Sequence, residues 1–109
     1  MPARIFAPAE SRLVEIWDDT FQKWGEDQAD AYVRELVGAI HALDANRSLW
    51  RRVADKNLVG LWFIRHEHHF IFFRELTGGV VGVITVLHES MDLPARIREV
   101  KSCSELDEM

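Results

Sequence analysis

The stretch EIWDDTFQKWGEDQADAYVREL, residues 15–36, contains two amphipathic segments and the joint between them. On its N-terminal side Leu13, Ile16, Trp17, Thr20, Phe21 and Trp24 recur at the spacing of one helical face. Gly25 then stands where a helix would end. Glu26 and Asp27 suit the positive end of a second helix dipole, and Ala29, Tyr32, Val33, Leu36, Ile40 and Leu43 resume the same period. With Gly25 as almost the whole linker, the two helices must fold back as an antiparallel hairpin. Both stripes, Trp17 and Trp24 included, are expected to pack on a common surface.

Working outward, Arg4-Ile5-Phe6-Ala7 reads as a short first strand, and Pro8 fits the first turn of the helix that follows, where its missing N–H costs nothing. After residue 46 the character changes. Residues 60–65 and 69–74 are rich in aromatic and β-branched side chains and read as two strands, with His66-Glu67-His68 as the hairpin between them. Thr77-Gly78-Gly79 supplies a turn into a third run, residues 80–87. The expected fold is α+β: an N-terminal strand, an antiparallel helical hairpin, a three-stranded antiparallel meander, and a short helix or tail after Met91. One domain over residues 1–100 and a polar, flexible tail over 101–109 follow from the composition. The strands are apolar almost throughout. One face should therefore lie under the helices, while part of the other is covered or left as an apolar groove for another polypeptide.

The chain has 109 residues, 48% hydrophobic and 28% charged, a globular balance with room for one core. No apolar run approaches the roughly 20 residues that cross a bilayer, and the first residues lack the apolar centre of a secretion signal. A cytoplasmic protein without membrane contact is expected. Cys103, the single cysteine, offers no internal disulfide. The net charge of −5 divides unevenly, with residues 8–46 at −6 and residues 47–74 at +4. An acidic whole repels a phosphate backbone at long range, so direct nucleic-acid binding is not expected.

Few constellations suggest chemistry. His66-Glu67-His68-His69 has no second histidine at the helical spacing of a zinc protease, and only His66 and His68 share strand parity. Two ligands without a third favour a structural turn over a metal site. His88-Glu89 is either a general acid/base pair at a strand end or a structural histidine. No nucleophile motif or glycine-rich phosphate loop is present, and no cofactor is implied. Trp50 beside Arg51 and Arg52, together with Trp62, is either a binding hot spot or a lid on the core.

The order of elements and three strings, residues 15–36, VGLWFIRHEHHFIFFREL (59–76) and VITVLHESMDLPARI (83–97), resemble the ParE branch of the RelE/ParE toxins of bacterial type II toxin–antitoxin modules. The resemblance runs from Pro8 to Ile97. Its most specific parts are Trp17, Trp24, Gly25, Gln28 and Ala29, then residues 71–74, then residues 86–94. It implies a growth-inhibiting toxin, silenced by a ParD-like antitoxin and acting as a protein-binding inhibitor of DNA gyrase. RelE-like relatives instead cut messenger RNA with a basic, tyrosine-bearing sheet face, which this chain lacks: its only tyrosine is Tyr32. That endoribonuclease reading, and an inactive homologue kept for complex formation, are the alternatives. The resemblance puts Arg65, Arg74, His88 and Asp92 near the functional end of the sheet, with Trp50, Arg51, Arg52, Trp62 and Met91 as antitoxin or target contacts. Trp62 and Ser90 stand where family members often carry arginine.

Overall fold

The computed structural model describes residues 3–53 and 60–90. Met91, Asp92, the expected C-terminal helix and the 101–109 tail lie outside the described residues.

Strand β1 (Arg4–Ile5) leads through Phe6 into helix α1 (Ala7–Trp24), with Pro8 in its first turn as expected. Gly25 ends α1 and starts helix α2 (Glu26–His41) in one residue: its N–H donates to the Phe21 carbonyl at 2.9 Å, and its own carbonyl accepts from Ala29 at 3.1 Å. This double duty requires φ 92°, ψ 176°, a backbone region open essentially to glycine alone. The helices pack on each other, and α1 runs over the last strand.

The sheet has five strands in the order β1-β5-β4-β3-β2, where β2 is Arg51–Arg52, β3 Trp62–His66, β4 His69–Glu75 and β5 Val81–His88. The expected meander is β3-β4-β5. Two strands extend it at its edges: β1 lies parallel to β5, with Arg4 opposite Gly82, and β2 lies antiparallel to β3. The β3–β4 hairpin is tighter than the sequence suggests, because His66 is a strand residue paired with His69 and only Glu67 and His68 form the turn. Glu67 accordingly takes φ 53°.

Between β4 and β5 the register slips by one: Phe72 faces Thr85 but Phe73 faces Val83. The extra residue, Ile84, lets both cores form. On the helical side Ile71, Phe73, Val83 and Val86 pack against Ile16, Leu36, Ile40 and Leu43. On the far side Phe72, Ile84 and Leu87 join Phe6 and Leu61.

Two expectations need correction. The far face is not an open trough at its described centre, since Phe72, Ile84 and Leu87 are buried within the chain. Nor do Trp17 and Trp24 belong to the core stripe. Trp24 is 73% exposed, and Trp17 is half-buried, its indole N–H turned to Asp30 Oδ1 of α2 at 2.8 Å and its ring stacked on Phe21. The apolar arc of α1 is wider than the strip the sheet covers. Ile16 faces inward, while Val14, Phe21 and Trp24 form a second row that faces out.

Candidate functional site

Polar side chains converge at the end of the sheet where the β3–β4 hairpin turns and β5 finishes. Pairing sets His69 opposite both His66 and His88, so three imidazoles from three strands cross the sheet in one row. The His69 and His88 rings meet edge to face at 5.0 Å. From above, α2 lowers Tyr32, whose hydroxyl shares a hydrogen bond with His69 Nδ1 at 2.6 Å. Burial, first of all, pulls the His69 imidazole down to about 4, and the neighbouring His88, His68 and His66 add to the effect. Burial and then the Glu67 carboxylate push the Tyr32 phenol up to about 12. Near neutral pH the pair is thus an uncharged ring hydrogen-bonded to an uncharged phenol. A groove of about 360 Å³ opens beside it, lined among others by Asp19, Lys23, Trp24, Glu67, His68 and His88.

The rest of the hairpin end is tied by charge. Glu89 accepts from His68 Nδ1 at 3.0 Å and from Arg65 at 2.7 Å, and the His68 hydrogen bond, before the Arg65 charge, holds its carboxyl below the usual range. Arg65 also donates through Nε to the Glu67 carbonyl at 2.8 Å. His88 Nδ1 accepts from the Ser90 amide at 3.0 Å.

Of the residues singled out from the sequence, Arg65 and His88 share this end but not one face. Arg65 lies across from Phe70 on the far side, whereas His88 follows the helix-facing row. Arg74 is opposite Gly82, four residues along β4 from Phe70 and so about 13 Å away. The three do not form one cluster, and Asp92 is outside the described residues.

Trp50 and Trp62 do come together, with ring centroids 5.7 Å apart, at the β2 edge. Trp50 serves as a lid: its ring meets Phe73 edge-on at 4.8 Å, and its indole N–H donates to the Leu43 carbonyl at 2.9 Å. Arg47 lies over Trp50 and Arg52 over Trp62, at 4.5 and 5.1 Å. Arg51 and Arg52 are exposed on the edge strand. Tyr32 and His69 were missed as site residues. Tyr32 sits on the helical stripe and reads as core, and its partner is 37 positions away.

A five-stranded sheet capped by a helical hairpin, with a histidine-rich hairpin end and an Arg-Trp edge, defines a small α+β domain. The same fold occurs in a solved structure described as the chromosomal ParDE TA system from P. aeruginosa, with a TM-score of 0.67 at 17% identity, covering 81% of this chain and 95% of that one. Residues 4–93 match the family model of the ParE toxin of the type II toxin-antitoxin system, parDE. Toxin ParE1 of Mycobacterium tuberculosis is 39% identical over 78% of this chain and 86% of its own length. Toxin ParE1 of Caulobacter vibrioides is 33% identical over 88% and 97%, and Toxin ParE of Escherichia coli 31% over 85% and 89%. The chain belongs to the ParE family: it is a ParE-type toxin of a type II toxin–antitoxin system.

Proposed function

We propose that this toxin acts in the cytoplasm as a protein-binding inhibitor of DNA gyrase rather than as a nuclease, and that a ParD-like antitoxin neutralises it. The observation that carries the choice is the mixed lining of the groove at the hairpin end, where Asp19 and Glu67 accompany Lys23. Cleaving an RNA phosphodiester needs a base that titrates near neutrality and a cation at the same phosphate. Here Tyr32 and His69 are held far from neutrality in opposite directions. Arg65 is engaged by Glu89 on the opposite face, and the groove beside His88 carries Asp19 and Glu67 as well as Lys23. Such a groove does not favour a polyanion.

The antitoxin reading rests on the outward row of α1. Val14 is 62% exposed and Trp24 73%, with Phe21 between them, and this spacing accepts an amphipathic segment that folds as it binds. A supercoiling assay with gyrase and the purified toxin, freed of antitoxin, tests the target. Inhibition that saturates with toxin is expected, and unchanged supercoiling at saturating toxin overturns the gyrase reading. Discrete cuts by primer extension on translated messages would establish the nuclease instead.

A further inference from the structure

The hairpin end holds four histidines, and three have a hydrogen-bonded ring nitrogen: His68 with Glu89, His69 with Tyr32 and His88 with Ser90. His66 does not. Its Nε2 is shut off from solvent with no hydrogen-bond partner, and Glu35 Oε2, at 3.8 Å, is beyond hydrogen-bonding reach. A buried imidazole nitrogen without a hydrogen bond calls for an explanation, and a bound ion is one.

Two carboxylates converge on that imidazole from separate elements. Glu35 comes from α2 and Glu67 from the hairpin turn, and one ligand atom from each, with a His66 ring nitrogen, lies within 4.8 Å of the others. Atoms bound to one first-row ion at about 2.0 to 2.2 Å are separated by roughly 3 to 4 Å, a closure that two flexible glutamates can make. Without a cation, two like charges and an unsatisfied nitrogen share the spot. A divalent ion offsets both charges and takes up the nitrogen. Two of the charges that raise the Tyr32 phenol are these same glutamates, which places both beside the helix–hairpin contact.

We propose that Glu35, His66 and Glu67 form a site for a first-row divalent cation of the zinc type, with His66 Nε2 as the nitrogen ligand, the two carboxylates as oxygen ligands and the remaining coordination open to water. The ion joins α2 to the tip of the β3–β4 hairpin. The sequence gives two of the three, because Glu35 lies 31 positions before His66 and only the fold brings it near. The inference is independent of the gyrase reading.

The test is calorimetric titration of the full chain, free of any affinity tag, with Zn²⁺ in metal-free buffer. One saturable equivalent is expected, with a melting temperature that rises with Zn²⁺ concentration. Glu35→Gln and Glu67→Gln, both at exposed positions, should each weaken binding roughly tenfold or more while leaving the circular dichroism unchanged. Glu89→Gln, which alters a neighbouring carboxylate outside the site, should bind as the parent does. In ¹⁵N-detected histidine spectra, Zn²⁺ should move the Nε2 resonance of His66. Absence of saturable binding, or Glu35→Gln and Glu67→Gln variants that bind like the parent, overturns the proposal.

Discussion

Acidification should destabilise this fold through one side chain, His69. The ring is only 9% exposed and is surrounded by Tyr32 from α2, His66 and His68 from the hairpin, and His88 and Glu89 from the end of β5, with Asp19, Lys23 and Glu67 along the same groove. Above pH 6.5 the ring is neutral in both the folded and unfolded chains and contributes no pH dependence. Between 6.5 and about 4 the unfolded chain binds a proton that the folded chain refuses, so stability falls as pH falls. Below about 4 both states are protonated and this loss levels off. At roughly 1.4 kcal/mol per pH unit the full gap is about 3 kcal/mol, and residual solvent contact brings it to about 2 to 3 kcal/mol. That is a large part of a typical domain stability of about 5 to 15 kcal/mol. Urea unfolding followed by tryptophan fluorescence should show the midpoint dropping by about 1 to 2 M between pH 7 and pH 4. His69→Gln keeps a hydrogen-bonding group for Tyr32 but cannot titrate. The variant should start less stable and lose about 2 to 3 kcal/mol less over the same range. Parallel losses in parent and variant would refute the assignment.

Other perturbations separate backbone, packing and surface. Gly25→Ala meets no atom within 4 Å, so its expected cost of about 1 to 3 kcal/mol in urea unfolding comes from the backbone region alone. Gly82→Ala would place a methyl 2.8 Å from Leu76 Cδ1 on the far face; Leu76 must shift, and a loss of about 1 to 3 kcal/mol is expected by the same measurement. Trp24→Ala removes an exposed side chain and should change stability by no more than about 0.5 kcal/mol, while antitoxin affinity by surface plasmon resonance falls roughly tenfold or more. Equal affinity of parent and variant would remove the outward row of α1 from the interface.

The helical hairpin was legible because a 3.6-residue period stopped and restarted around one glycine. The meander was legible from its aromatic and β-branched runs. Strand β2 was not, since Arg51-Arg52 is two residues long, exposed, and without alternation. The orientation of Trp24 was hidden for a different reason: periodicity gives the direction of an apolar arc but not how much of it the sheet is wide enough to cover. Trp50 could be narrowed only to lid or hot spot, and the contacts with Phe73 and Leu43 that make it a lid are tertiary. At the hairpin end the histidines were visible as a string. Their row across the strands depended on His66 belonging to β3, one residue beyond the expected strand end.

The parallel pairing of β1 with β5 fixes the order in which the molecule can be assembled. Residue 4 finds its neighbour at residue 82, and α1 rests on the same late strand. A nascent chain that has not yet produced Val81–His88 therefore has no floor beneath its first helix and no mate for its opening residues. Closing so long a loop is slow, and the paired β1–β5 edge can form only once β5 itself has been made.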